Sequence, residues 1–525
     1  MATDVPEEAW VEVSLAQRVI EHARINPERI AIECDGSAIS YSALLVSASS
    51  CAATLRDIGL LPGGSRRVGL LASNSLDFAI IVLACQLAGV AIVPLPGLIT
   101  AEAMAGMLDD AGIAVLFADA KHDALARAAL AASLGCGDVP VVRIGDVGAL
   151  AAWSASSAAV FAPVDIDADW QSDLIYSSGT TGTPKGIAQS YGSRRAQCLS
   201  LGALGINSDT GLLHTVGLYS NFGLSALLLS NWWGGAFYTM AKFSGIAVVD
   251  LVRRGEVDMA WFAPATLLRT VEAPGFALGV RDRSCVKLCA GAPLSIEQKT
   301  HVLKSWPGSF YDIYGQTETG TLTMLAMHAA PATKLKSVGT VLPSAQVRII
   351  DDEGTLLALG EEGEIAGHST TLMAGYHARD DANSAAHWRD DEGRLYVRTG
   401  DVGRIDEDGY LWLCDRKKDM IISGGFNVYP ADIERVLVAH PAVFEAAVIG
   451  CASHRWGETP VAFVTLREGA TAEEEDLRSW VNERVGSVQR VAALRVLPEL
   501  PYGTMGKILK RMLRDEHAAM LGTLP

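Results

Sequence analysis

Eleven consecutive residues, Tyr176-Ser177-Ser178-Gly179-Thr180-Thr181-Gly182-Thr183-Pro184-Lys185-Gly186, carry hydroxyls, glycines and one lysine and almost nothing that could fill a core. Asp173-Leu174-Ile175 enters this run as a strand-like segment, and Ile187-Ala188 leaves it in the same way. A loop of this composition offers backbone N–H groups and hydroxyls with no bulk in front of them, which suits the wrapping of a polyanion such as a triphosphate. Lys185 adds a point charge. A plain Ser/Thr/Gly surface turn shares the composition, but the length of the run and the fixed Pro184-Lys185 favour a phosphate cradle. The Walker A pattern is excluded, because Pro184 precedes Lys185 and Gly186 follows it where that pattern ends in Gly-Lys-Ser/Thr.

Four further places could serve the same chemistry. Tyr314-Gly315-Gln316-Thr317-Glu318-Thr319-Gly320 follows a predicted strand, and a carboxylate such as Glu318 at a strand end can hold Mg²⁺ against a phosphate. Thr399-Gly400-Asp401 follows another strand, and Asp401 could accept two hydrogen bonds from a ribose diol. Arg416 lies in a run of five charges, Asp415-Arg416-Lys417-Lys418-Asp419. Lys507 sits between glycine and isoleucine near a basic C-terminal helix. His214 is a single histidine at a strand edge. Each alone reads equally as a solvated turn, a helix end or a core residue; their weight comes from occurring together.

The elements that must position them follow from periodicity. From Val68 onward short apolar runs alternate with helical patterns, which predicts α/β layers with parallel-rich sheets. From Val347 short strands separated by turn residues predict a β-rich subdomain. Beyond the charged run a compact α+β pattern begins, with Pro430 at a helix start. The expected organisation is a large N-terminal domain over 1–414, a hinge at 415–419 and a small mobile domain over 420–525. Phe78 to Pro96 carries no charge over nineteen residues, yet Gln86, Gly89, Pro94 and Pro96 interrupt it. A buried helix over Asp77–Leu87 and a strand over Val90–Val93 are expected there rather than a membrane span. Residues 121–160 are Ala-rich and uninformative, with one strand before Ile144 and a loose connector at Ala151–Ala159.

Composition narrows the function. A chain of 525 residues with 49% hydrophobic and 20% charged residues is ordinary globular material large enough for several domains. Its net charge of −17 excludes a broad nucleic-acid surface, so any phosphate site must be local. Nine scattered cysteines with no Cys-x-x-Cys pair read as reduced thiols of a cytoplasmic protein. The acidic N-terminus has no apolar core of a signal peptide.

In their order and spacing these segments resemble the motifs of the adenylate-forming, AMP-binding superfamily, in the style of 4-coumarate, benzoate and fatty acid CoA ligases. Gly291-Ala292-Pro293 is similar to that family's adenine-facing segment, and Gly363-Glu364, Gly367 and Gly375-Tyr376 match another of its patterns. The resemblance covers about residues 15–515. It implies an ATP-dependent, AMP-forming ligase: a carboxylate attacks the α-phosphate of ATP, and coenzyme A then takes the acyl group. Ser177, Ser178, Gly179, Thr180, Thr181, Gly182 and Lys185 would hold the phosphates, with Tyr314, Gly315, Gln316 and Thr317 completing the nucleotide site. Glu318 and Thr180 would hold Mg²⁺, and Asp401 and Arg416 the ribose. Lys507 would bridge the carboxylate and the α-phosphate, and His214 would guard the carboxylate's entry. Lys418 would be the pivot that brings Ser423-Gly424-Gly425 to the site for coenzyme A. One departure is visible: Tyr502 and Gly503 stand where the family usually has a basic residue and a threonine.

Amino-acid-activating relatives carry an aspartate soon after the segment at 214; here His214-Thr-Val-Gly-Leu-Tyr-Ser has none. By analogy with aryl-CoA ligases the acyl pocket would be built by Val216, Ser220, Gly291, Gly315, Thr321 and Leu322, small or apolar residues that suit an aryl, phenylpropenoid or medium-chain acid. Loading of an acyl-carrier protein is the alternative acceptor chemistry, and an inactive nucleotide-binding scaffold the alternative of another class. The oligomeric state, monomer or homodimer, is not readable from the sequence.

Overall fold

The computed structural model describes residues 13–155, 164–177, 185–280, 283–292, 294–416, 419, 421–423, 426–428, 430–453, 457–486, 489–502 and 508–521. They form two compact units. The first is Met1–Leu335 with Val341–Gln346 and His368–Val397; the second is Lys336–Thr340 with Val347–Gly367 and Arg398–Pro525. The lysines of the proposed hinge, Lys417 and Lys418, lie outside the described residues.

Two parallel-rich sheets dominate the first unit, as the alternation of apolar runs and helices predicts. A seven-stranded sheet runs Gly375–Tyr376, Lys185–Ser190, Gln171–Ser177, Ile92–Pro94, Arg67–Leu71, Ile113–Asp119, Val141–Ile144. A nine-stranded sheet includes, in order, Gly320–Ala326, Phe310–Gln316, Val286–Cys289, Met259–Phe262, Gly211–His214, Ala236–Thr239, Ile30–Cys34 and Ser37–Ser40. Its inner neighbours pair parallel and its outer hairpins antiparallel. Strands such as Met259–Phe262 are buried at every position, the reading expected of a sheet covered on both faces. The hairpin at Ile30–Ser40 turns at Asp35 and Gly36, both with positive φ (50° and 82°), the geometry of a type I′ turn.

The uncharged stretch at Phe78–Pro96 resolves as expected into the helix Leu76–Ala88 and the strand Ile92–Pro94. Ser75 caps the helix by accepting from Phe78 N, and Gly89 ends it at φ 67°. Every residue from Phe78 to Ala88 is buried, so its lack of charge reflects a core helix. No helix among the described residues is long and apolar enough to cross a membrane. All nine cysteines are free.

The Ala-rich region holds more structure than its sequence disclosed. Asp123–Ala132 is a helix with Ala126, Ala129 and Leu130 buried. The connector expected from Ala151 starts instead as the last part of a short helix, Ala149–Ser154, with Leu150 buried. Alanine favours helix whenever even a weak apolar stripe can be covered, and a uniform Ala background hides that stripe from periodicity.

The C-terminal part of the second unit is an α+β layer. Its sheet runs Phe426–Val428, Ile421–Ser423, Gly457–Leu466, Val443–Ser453, and Ala493–Val496 joins Gly457–Leu466 in parallel. The helix Pro430–Val438 buries Ile433 and Leu437, and Glu474–Asn482 buries Leu477 and Val481, in one core with Val448, Val464 and Leu494.

One buried polar network ties the strand Gln171–Ser177 to two helices of the first unit. Arg194 donates from Nε and Nη2 to Asp173 at 2.8 and 2.6 Å, and from Nη1 to Gln197, Asn221 and Ser225. Asp173 is fully buried and Arg194 nearly so. The pair locks the strand Gln171–Ser177 to the helices Tyr191–Gly202 and Asn221–Trp233. Arg194→Met leaves the Asp173 carboxylate buried without its partner, and a loss of about 3–5 kcal/mol is expected. Denaturant or thermal unfolding checks this; a melting temperature within a degree of the parent would contradict it.

Candidate active site

The chemistry begins at a hairpin. Gln171–Ser177 and Lys185–Ser190 pair antiparallel with Ser177 opposite Lys185, so residues 178–184 connect the ends of two adjacent strands. Those seven residues, which include Ser178, Gly179, Thr180, Thr181 and Gly182, lie outside the described residues. The entry strand is anchored at Tyr176. Tyr176 Oη donates to Asp110 Oδ2 at 2.8 Å and to the Met107 carbonyl at 3.1 Å, and Asp110 is paired with Arg379 at 2.7 Å.

The predicted metal carboxylate sits on a second tight turn. Phe310–Gln316 and Gly320–Ala326 form a hairpin with Gln316 opposite Gly320 and a register shift at Tyr314/Gly315. Thr319 Oγ accepts from Gln316 N at 3.1 Å and donates to the Gly320 carbonyl at 3.0 Å. Gly320 has φ 68°, and a Cβ there would stand 1.8 Å from Thr371 Oγ, so only glycine fits. Gly315 packs as tightly: a Cβ would come within 2.0 Å of the Gly320 carbonyl oxygen.

A third segment staples the two hairpins together. Ser369 Oγ donates to the Thr319 carbonyl at 2.6 Å, and Met373 N donates to the Glu318 carbonyl at 2.9 Å. The same segment then pairs with the exit strand of the phosphate loop, Gly375 opposite Ala188 and Tyr376 opposite Ile187, and His377 N donates to the Gly186 carbonyl at 2.8 Å. From the other side Gln189 Nε2 donates to the Thr317 carbonyl at 2.7 Å. Glu318 accepts the Tyr376 hydroxyl at 3.0 Å, and the Lys185 ammonium lies 4.9 Å from the Tyr376 ring centroid. The sequence named Lys185 and Glu318; the structure brings them to one tyrosine.

Among the described residues no cluster of three or more His, Cys, Asp or Glu side chains could hold a metal by itself. A half-buried single carboxylate such as Glu318 fits Mg²⁺, which takes one or two protein carboxylates and completes its shell with phosphate oxygens and water.

The second unit carries the candidate ribose residues. Asp401 stands directly across from Arg416 in the antiparallel pair Leu395–Ile405 and Leu411–Arg416. Asp401 is buried; its N–H donates to Thr399 Oγ at 3.1 Å, and Thr399 Oγ donates to the Ile365 carbonyl at 2.8 Å. Ser423 is buried at the end of Ile421–Ser423, opposite Phe426 and Gly457. Gly424, Gly425, Lys418 and Lys507 lie outside the described residues, as does Pro293. Gly291 precedes it with φ 99°, a conformation that favours glycine, and Ala292 is half-buried.

His214 ends the strand Gly211–His214 and is fully buried, with no hydrogen-bond partner at either ring nitrogen among the described residues. Phe222 meets it edge-on at 5.3 Å and stacks on Trp261 at 4.9 Å. Burial alone pushes its pKa down to about 3, so the ring is neutral at working pH. A buried imidazole left unpaired costs about 1–3 kcal/mol, which makes it a poor core residue and a good waiting hydrogen-bonding group.

The structure places the candidate acyl-pocket residues as follows. The Ser220 hydroxyl caps the helix Asn221–Trp233, accepting from Gly223 N at 3.1 Å and donating to the Gly217 carbonyl at 2.8 Å; its polar atom is committed to the backbone. Thr321 is half-buried and Leu322 fully buried as successive residues of one strand, so they face opposite sides and only one can line a given pocket wall. A residue that sequence reasoning missed holds the loop after His214. Asn74 Oδ1 accepts from Leu218 N at 2.8 Å, and its Nδ2 donates to Val216 O at 2.9 Å, Thr239 Oγ at 3.0 Å and Met240 O at 3.2 Å. Nothing in Ala72-Ser73-Asn74-Ser75 marks it beyond a generic helix-start composition.

Two hairpins, Gln171–Ser190 and Phe310–Ala326, joined by segment 369–377 at the edges of two parallel-rich sheets, carry the residues that the sequence singled out for nucleotide chemistry. The chain belongs to the AMP-binding enzyme family, whose sequence model matches residues 19–377 and whose C-terminal domain model matches residues 432–507. It is similar to a fatty acid–[acyl-carrier-protein] ligase of Streptomyces coeruleorubidus, 31% identical over 96% of both chains. It is also similar to a 2-succinylbenzoate–CoA ligase of Geobacillus kaustophilus, 32% identical over 94% of this chain and 96% of that one. Among solved structures, ATP-bound MatB from Rhodopseudomonas palustris superposes with a TM-score of 0.85 at 27% identity, covering 96% of this chain and 99% of that one. The o-succinylbenzoate coenzyme A synthetase of Bacillus subtilis in complex with ATP and magnesium ion gives 0.82 at 27% identity, covering 95% and 99%. The chain is therefore an adenylate-forming acid ligase.

The depressed pKa of His214 has a consequence for stability. Between the unfolded value near 6.5 and the folded value of about 3 the unfolded chain holds a proton that the folded chain does not. Stability from this group is full above pH 6.5 and falls as pH drops towards 3. His214→Phe removes that slope. Melting temperatures at pH 7.5, 6.0 and 5.0 should fall less steeply for the variant, whereas parallel slopes would show that the ring is not held neutral.

Proposed function

We propose that this chain joins a carboxylic acid to coenzyme A in two steps that share one site. An oxygen of the substrate carboxylate attacks the α-phosphorus of ATP, the bond to the β-phosphate oxygen breaks, and pyrophosphate leaves with both of its phosphates. The coenzyme A sulfur then attacks the acyl carbon, AMP departs, and the thiol proton passes to solvent. The observation that carries the reading is the placement of the Lys185 ammonium and the Glu318 carboxylate on one tyrosine at the mouth of the Ser/Thr/Gly loop.

Each side chain has a defined task. Thr180, Thr181 and Lys185 hold the β- and γ-phosphates, and Glu318 is the protein ligand through which Mg²⁺ would neutralise charge on the phosphates. Asp401 and Arg416, opposite one another across two strands, take the ribose hydroxyls. Lys507 places its charge between the carboxylate and the α-phosphate, where negative charge accumulates in the transition state. Neutral His214 turns an unpaired ring nitrogen to the substrate carboxylate. Lys418 is the pivot of a hinge at 415–419, after which Ser423, Gly424 and Gly425 admit the pantetheine arm. Free cysteines throughout suit a reducing compartment, the cytoplasm.

The acid we favour is aryl or arylalkenyl. Phe222 stacked on Trp261 beside His214 offers a flat aromatic wall, half-buried Val216 lies on the adjoining loop, and a 2-succinylbenzoate–CoA ligase stands among the similar proteins. A carrier-protein acceptor is the second reading, favoured by the similarity to an acyl-carrier-protein ligase. A panel of aryl, phenylpropenoid and medium-chain acids with ATP and either coenzyme A or a phosphopantetheinyl carrier, read as AMP release and thioester mass, separates the two. Release of AMP only with the carrier would reverse our choice, and no acid-dependent pyrophosphate release at all would leave a nucleotide-binding scaffold.

The two half-reactions separate by mutation. Lys507→Ala should lower adenylation by on the order of 10²–10³-fold and leave thioester formation from supplied acyl-adenylate largely intact. Gly425→Leu should do the opposite. Rapid-quench assays of each half-reaction check both, and equal losses in the two steps would contradict the division of labour.

A further inference from the structure

Tyr376 belongs to a sequence motif to which the proposed reaction assigns no role, yet it touches both charged groups of the phosphate site. Its hydroxyl donates to Glu318 Oε1 at 3.0 Å, and its ring face carries the Lys185 ammonium at 4.9 Å. Its own position is fixed from two sides. Its backbone pairs with Ile187 on the exit strand of the phosphate loop, and Asn383 accepts from Tyr376 N at 2.7 Å while donating to Tyr376 O at 3.0 Å. Gly375 before it has φ 144°, and a Cβ there would stand 3.1 Å from Asn383 Oδ1. This much scaffolding around one half-buried phenol exceeds what filling space requires.

We propose that Tyr376 is a positioning residue that seats Glu318 and Lys185 for the MgATP-dependent half-reaction, a role that rests on the adenylating function proposed above. The hydroxyl holds Oε1 of Glu318 and so fixes the plane in which the carboxylate would meet a metal. A carboxylate oriented by an outer hydrogen bond binds a hard cation in one geometry instead of many. The ring gives the lysine a resting place of opposite electrostatic character that is not a carboxylate. Without it, the ammonium and Glu318 could collapse into a direct ion pair that would blunt both charges. Burial and the adjacent Glu318 carboxylate both raise the phenol's pKa, so the hydroxyl stays a donor throughout the working range.

The two contacts predict two separable defects. Tyr376→Phe keeps the ring and loses the hydroxyl; Tyr376→Leu loses both. Calorimetric titration of the full-length protein with ATP, in excess Mg²⁺ and in EDTA, reads them without any acid being known. Tyr376→Phe should weaken MgATP binding by about tenfold, the range typical of lost outer-shell contacts, and leave metal-free ATP binding within twofold. Tyr376→Leu should weaken both. Equal effects of Tyr376→Phe with and without Mg²⁺, or none in either, would overturn the proposal, as would a fall in melting temperature that tracks the affinity loss. Should the affinities behave as expected while no acid supports pyrophosphate release, the positioning role stands and the acid-ligase reading fails.

Discussion

The site depends on one constraint: two side chains of opposite charge must be held at fixed places although they belong to different sheets. Lys185 starts a strand of the seven-stranded sheet, and Glu318 sits on a turn at the edge of the nine-stranded sheet. Segment 369–377 meets the constraint. It bonds the Glu318 turn through Ser369 and Met373, then becomes the edge strand beside Lys185–Ser190. Backbone hydrogen bonds do most of this work, which ties the geometry to the fold rather than to any one side chain. The buried Arg194–Asp173 pair anchors the same hairpin from behind, and Arg194 also reaches Asn221 and Ser225 on the helix Asn221–Trp233.

The two turns that carry the candidate phosphate residues stood out in the sequence because they combine unusual residues in unusual places. Glycines at 315 and 320, hydroxyls at 319 and 177, and one lysine after a proline cannot be mistaken for core material. The parallel-rich layers were legible for a related reason: fully buried strands such as Met259–Phe262 read as unbroken apolar runs between helices. Structure hidden under alanine, such as Asp123–Ala132, was not legible, since a uniform background erases periodicity.

The proposed acyl pocket was the least legible part, and the reason is physical. Its candidate residues are ordinary small and apolar ones whose role depends on which way they face. Ser220, one of the small residues the sequence offered for a pocket, has its hydroxyl committed to a helix cap. Thr321 and Leu322 looked like one wall and point to opposite faces. Asn74 and Tyr376 make their contacts with partners far apart in sequence, Val216 to Met240 for one and Glu318 and Lys185 for the other. His214 was legible as a candidate; its complete burial without a partner was not.

In the proposed reaction the substrate carboxylate cuts ATP at the α-phosphate. Carboxylate labelled with ¹⁸O on both oxygens tests it most directly, since one labelled oxygen becomes the bridge of the mixed anhydride and stays with the departing nucleotide. Mass spectrometry of the products should find AMP carrying one ¹⁸O and unlabelled pyrophosphate. Label in inorganic phosphate, accompanied by ADP, would mean attack at the γ-phosphate and would contradict the account.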